Sequence, residues 1–281
     1  MIYVLLSVAC SVLVSVLLKL AKRFEIDIGQ AIAWNYVVAS GLTLVTLHPT
    51  LAPFRHAFVP WVALLALGIL LPTIFLVLGA SVRHAGIVRS DAAQRLSLLI
   101  SLLAAFTWFG QALDTLKLIG CAIGLLAMAG MVWRSEPGNA AAGWRRWAFP
   151  LLVFAGSGVI DVLFKRIAAV GIALGDALAV VFALALIVAF GIEFARRTHF
   201  NWRGFVSGVL LGLWNFGNIL FYLRAHRALP HNPALVFASM NLGVVALGAV
   251  TGLVAFRERL NRINYVGLAL ALIAVGLLAH G

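Results

Sequence analysis

Apolar stretches about twenty residues long recur ten times along the chain, broken by short polar interruptions that carry most of its charge. A bilayer crossing needs roughly 20 such residues in steps of about 1.5 Å. The pattern predicts spans over 2–21, 29–47, 59–81, 90–109, 113–133, 147–169, 175–194, 203–223, 233–255 and 262–279. Most connections are short, so successive helices are expected to pack as antiparallel neighbours. Strands of a membrane barrel would alternate polar and apolar residues over about ten positions; segments 4–18 and 266–278 show no such alternation. The expected fold is an all-α polytopic membrane protein of ten transmembrane helices.

Composition agrees. Hydrophobic residues make up 63% of the chain and charged ones 11%, where a soluble domain carries about 25% charged residues. The longest polar gap, 134–146, is too short to bury a core of its own. Segment 1–21 lacks the positive n-region and the cleavage pattern of a signal peptide, and reads as a retained first helix. Cys10 and Cys121 sit in apolar stretches with no metal-ligand spacing and read as packing residues. The net charge of +12 lies at helix ends, where it meets anionic lipid rather than nucleic acid.

The two halves resemble each other. Residues 5–19, LLSVACSVLVSVLLK, align without a gap to 151–165, LLVFAGSGVIDVLFK, pairing Ser11 with Ser157 and Lys19 with Lys165. Gly29 keeps the same offset to Gly175, and QALDTLKLIG at 111–120 lies over ERLNRINYVG at 258–267, each after a phenylalanine. The predicted organisation is a five-helix repeat over 1–133, a connection over 134–146, and a second repeat over 147–281. Five spans per repeat start the second copy on the opposite side of the membrane, which makes the repeats inverted. Inverted repeats commonly serve alternating access to a central site; the bland reading is a duplication that merely makes a stable bundle.

At this point the chain resembles the drug/metabolite transporter superfamily, in its ten-helix EamA-like branch, over essentially its full length. The likeness is carried by SLLISLLAAFTWFGQALDTLKLIGCAIGLLAMAG at 97–130 and by LGVVALGAVTGLVAFRERLNRINYVGLALALIAVG at 242–276. Such segments in that family read as an apolar helix, a Gly-Glu-Arg-like turn and a glycine-containing last helix. The second copy keeps Glu258 and Arg259, whereas the first has Gln111 and Ala112. The resemblance implies movement of amino acids, nucleotide-type metabolites, sugars or amphiphiles, often with proton coupling, and cytoplasmic termini. Charge counting points the other way. Fourteen lysines and arginines flank the loops after odd-numbered spans and six flank the others, which makes the odd loops cytoplasmic and the termini external.

Polar groups within the spans are the candidate site, because a charge in lipid is costly and usually faces the bundle interior or an aqueous path. Arg95 lies about one turn into the fourth span, with Asp91 four residues earlier and Gln94 beside it; it either lines a cavity or pairs with Asp91 at the helix end. Asp161 and Lys165 are one helical turn apart on the sixth span and share a face, as a substrate pair or a structural one. Lys19, the mate of Lys165, reads as snorkelling to the interface. On the eighth span Trp214 precedes Asn215, Asn218 and Tyr222, which fall at i, i+3 and i+7 as one polar stripe, while Gly208, Gly212 and Gly217 permit close approach. Asn241 on the ninth span matches Gln94 on the fourth. Trp34, Asn35 and Tyr36 form a weaker candidate on the second, and Pro72 either breaks or kinks the third.

The expected protein is a secondary transporter of a small organic solute, amino-acid-like or organic-acid-like, in a bacterial inner membrane. Protons are a candidate second solute, with Asp161 the best-placed acid. Membrane lipid is the only other partner expected, with no nucleic acid and no obligate protein partner. No cofactor or metal is expected, and His84, His226 and His231 have no ligand spacing. The alternatives are an assembly subunit, a membrane-embedded enzyme or a flippase for a lipid-like substrate. An enzyme is disfavoured because the serines and histidines are scattered.

Overall fold

A computed structural model describes residues 1–50, 52–55, 59–97, 99–100, 103–104, 115–132, 144–228, 233–258 and 260–280. Among the described residues the chain is helical, without strands. Its helices are α1 (Ile2–Arg23), α2 (Ile28–Leu47), α3 (Trp61–Ala85), α4 (Ile87–Leu96), α5 (Thr115–Val132), α6 (Arg145–Ala169), α7 (Leu174–Ala195), α8 (Trp202–Ala228), α9 (Pro233–Val250) and α10 (Arg262–His280). Six of them, α1, α2, α3, α6, α7 and α8, are long and apolar enough to cross a membrane. Large apolar side chains stand bare on the outside, among them Val45, Val62, Leu126, Phe194 and Val254. A water-soluble surface does not carry so many. These residues face lipid, and the chain is an integral membrane protein.

Local chemistry sets the element ends. Asp27 caps α2, its Oδ1 accepting from the Gly29 N–H at 2.8 Å and the Gln30 N–H at 3.3 Å, which satisfies donors that a helix start leaves open. Pro72 lies inside an unbroken α3. In the fourth span α4 is regular to Leu96, Ser97 lies in a turn with helical backbone angles, and 99–100 and 103–104 are helical again, while 98, 101–102 and 105–109 lie outside the described residues. α9 continues into a π-helical turn, Thr251–Ala255, after which the Glu258 N–H donates to the Gly252 carbonyl at 2.9 Å. That wider turn ends the ninth element short of a regular helix.

Packing follows small residues. Gly204, Gly208 and Gly212 recur every fourth position on α8 and lie against α2; a Cβ at Gly212 would come within 2.6 Å of Val38 Cβ and 2.9 Å of the Asn35 carbonyl oxygen. Gly217 instead faces Cys10 on α1. Beyond this contact, α1 packs on α8 and α3 on α6; α3 packs on α7; α1 packs on α9 and α4 on α6. α5 lies along α10, α2 against α7 and α4 against α9.

The connections after α1, α3, α7 and α9 gather at one end. Gln30 Nε2 donates to the His199 carbonyl at 2.8 Å and its Oε1 accepts from the Asn201 N–H at 3.0 Å. Asn264 at the start of α10 donates to the Gly130 carbonyl at 2.9 Å and accepts from Arg89 Nη2 at 2.6 Å. Two cavities, of about 530 and 390 Å³, lie at this end, the first lined by Arg23, Glu25 and Trp202 and the second by Asp27, Arg83 and Arg196.

Candidate functional site

α1 carries a polar stripe at four-residue spacing: Ser7, Ser11, Ser15 and Lys19. Each meets a partner on another element. Ser7 Oγ has one proton to give to either Asn218 Oδ1, at 2.8 Å, or the Asn218 carbonyl, at 2.9 Å. Ser11 Oγ accepts from Arg95 Nη2 at 2.7 Å. Ser15 Oγ donates to Asp91 Oδ1 at 2.6 Å. Lys19 Nζ lies 3.3 Å from Glu258 Oε1. The serines were missed in the sequence because hydroxyls are ordinary glue between membrane helices; their period of four, ending on a lysine, was the available signal.

Arg95 is the centre of the group. Asp91 from its own helix, Asp161 from α6 and Tyr222 from α8 surround its guanidinium electrostatically. Its Nε is enclosed without a hydrogen-bond partner, as is Asp91 Oδ2. Asp91 is 2% exposed. Asp161 stands exposed, and Ser97 Oγ has one proton to give to either the Gln94 carbonyl, at 2.6 Å, or Asp161 Oδ2, at 3.3 Å. At the end of α4, Ser97 thus touches α6. Of the expected residues, Arg95, Asp161 and Tyr222 come together, and Asn218 sits one turn before Tyr222, held by α1.

The rest distribute differently. Asn215 Nδ2 donates to Asn35 Oδ1 on α2 at 3.2 Å, away from Arg95. The stripe expected as one surface on α8 is thus divided, because α8 touches both α1 and α2. Trp214 packs against the apolar core that includes Tyr36 and Phe182. Asn241 is buried on α9 beside Met240. The Lys165 side chain, and with it the expected Asp161–Lys165 pairing, lies outside the described residues, as do Gln111, Ala112, Arg259 and His231. On α2, Asn35 and Tyr36 are fully buried, and Trp34 stacks edge-on against Phe190, Phe200 and Phe205.

Lys19 departs from the snorkelling expected of it. Besides pairing with Glu258, it donates to the Val82 carbonyl at 3.3 Å. Glu258 also accepts from the Ile87 N–H at 2.7 Å and the Val88 N–H at 3.3 Å. It thereby caps α4 from another element, where a helix start favours negative charge. Gly86, at φ +94°, and Gly252 leave the room: a Cβ on either would meet the carboxylate.

No protein-family model matches the chain. An uncharacterized protein of Haemophilus influenzae is 40% identical over 276 residues, spanning 96% of this chain and 94% of the relative. The chain belongs to the family of that protein. A solved structure, described only as the crystal structure of a protein, is similar with a TM-score of 0.56 at 14% identity, over 97% of this chain and 96% of that one. That likeness concerns the fold alone.

Proposed function

We propose that the protein is a secondary transporter of a small organic solute bearing a carboxylate, amino-acid-like or organic-acid-like, working by alternating access in a bacterial inner membrane. The observation that carries this reading is Arg95: a guanidinium among apolar helices, faced by Ser11 and Asp91 from one half of the chain and by Asp161 and Tyr222 from the other. A structural cation is expected to end in a saturated ion pair. Arg95 instead keeps an enclosed N–H without an acceptor, and a carboxylate is the acceptor that a guanidinium fork fits.

The packing supports ten spans in two inverted repeats. If α1–α5 correspond to α6–α10, the contact of α1 with α8 has its counterpart in α6 with α3, and that of α2 with α8 in α7 with α3. α1 with α9 likewise corresponds to α6 with α4, while α5 with α10, α2 with α7 and α4 with α9 map onto themselves. The stripe Ser11, Ser15, Lys19 on α1 recurs as Ser157, Asp161, Lys165 on α6. This arrangement favours membership of the drug/metabolite transporter superfamily. The solute path runs past Arg95, Asp161, Asn218 and Tyr222, between the halves.

Uptake and counterflow in proteoliposomes test the reading, with pooled labelled amino acids and short organic acids. Saturable movement that falls at least tenfold in Arg95→Ala is the expected result. Movement indifferent to Arg95, or no movement of any pool by folded protein, rejects it.

A further inference from the structure

Asp91 differs from the other acid of the site. Asp161 is exposed and bonded to Ser97, whereas Asp91 is enclosed, with one oxygen held by Ser15 and the other without a partner. That second oxygen points at Gly248 on α9, so closely that a side chain at Gly248 would overlap it. The backbone of α9 thus leaves no space there for a solute's ammonium group. A proton needs none.

Few groups on the elements around α4 act on this carboxyl. α1 presents Ser15 and, one turn further, Lys19; the turn after α9 brings Glu258, which acts on Asp91 electrostatically; Arg95 stands one turn along α4 itself. α6 and α8 contribute Asp161 and Tyr222, which act electrostatically on Arg95. α3 gives Ser81, hydrogen-bonded to Ser90 at 2.7 Å, and α5 and α10 meet α4 through Ala127, Ala271 and Ala274. Arg95 is therefore the cation of α4 that acts on Asp91, shared between Asp91 and any anion that enters.

We propose that Asp91 is the proton-carrying group of this site, protonated on its Gly248-facing oxygen when a carboxylate solute takes over Arg95. The solute carboxylate and the ionised Asp91 compete for one guanidinium, so binding of the first favours a proton on the second. By linkage the converse holds, and a proton on Asp91 frees Arg95 for the solute. Solute anion and proton then load together and leave together, adding no net charge to the buried site. The coupling rests on the transport reading above; the titration of Asp91 does not.

Two measurements separate these layers. In pH-titrated infrared difference spectra of protein in lipid, without solute, a carboxyl C=O band appears in the wild type and is missing in Asp91→Asn. The same band in both proteins overturns the assignment, as does a wild type with no such band. In proteoliposomes, a component of the amino-acid and organic-acid pools that the wild type accumulates under a proton gradient is still exchanged in counterflow by Asp91→Asn, at reduced rate. Gradient-driven accumulation falls at least tenfold, and Asp91→Glu recovers part of it. Asp91→Asn protein that accumulates like the wild type overturns the proposal. If no pool component moves in the wild type, the transport reading fails while the infrared band still decides whether Asp91 titrates.

Discussion

A guanidinium, two carboxyls and a phenol within one apolar bundle are costly unless each answers another. Arg95 meets that cost through Ser11, Asp91, Asp161 and Tyr222. Arg95→Lys keeps the charge but loses the planar fork, and a lysine does not replace arginine at a bidentate site. We expect it to recover less than a tenth of the wild-type counterflow rate; recovery to the wild-type rate would reduce Arg95 to a bare point charge. Arg95 and Asp161 were legible in the sequence because ionisable residues are rare inside spans. Their meeting was not, since Asp161 lies 66 positions away on α6. Lys19 was misread because an exposed helix end is the ordinary place for a lysine; only the fold brings Glu258 to it.

Among the elements, α4 is the most dependent on others. Its first backbone donors rest on Glu258, whose cap needs the π turn after α9 and two glycines. Glu258→Ala leaves the Ile87 and Val88 N–H groups unpaired and Lys19 without its carboxylate. We expect a loss of about 2 kcal/mol, the scale of a cap and an unsatisfied buried donor, seen as a lower thermal midpoint in detergent. Glu258→Gln should recover part of it. The α2–α8 seam gives a steric counterpart: Gly212→Leu drives a side chain into Val38 and the Asn35 carbonyl. A destabilisation of about 1–3 kcal/mol is expected from such overpacking, measured in the same way. Regular helices were read from apolar length to within a few residues. The π turn after α9 was not, because hydropathy does not register a change of hydrogen-bond spacing within an apolar run.

At the scale of the molecule, the proposal is that 1–133 and 147–281 are inverted repeats, a reading that rests on the likeness of 5–19 to 151–165. Such an inversion would place equivalent loops on opposite faces of the membrane. In protein carrying Cys10→Ala and Cys121→Ala, Thr50→Cys after α2 and His199→Cys after α7 should react with an impermeant maleimide from opposite sides. Labelling from one side would exclude the inversion. The basic end, where the odd-numbered connections meet, should be the cytoplasmic one, so His199→Cys is expected to be the position protected in intact cells.

The proposed transport has solute moving past Arg95 between two halves. Counterflow of pooled amino acids and short organic acids in proteoliposomes, wild type against Arg95→Ala, tests it most directly. Saturable exchange by the wild type and at least a tenfold loss in the variant are expected. Equal rates in both, or no exchange by folded wild-type protein, would contradict it.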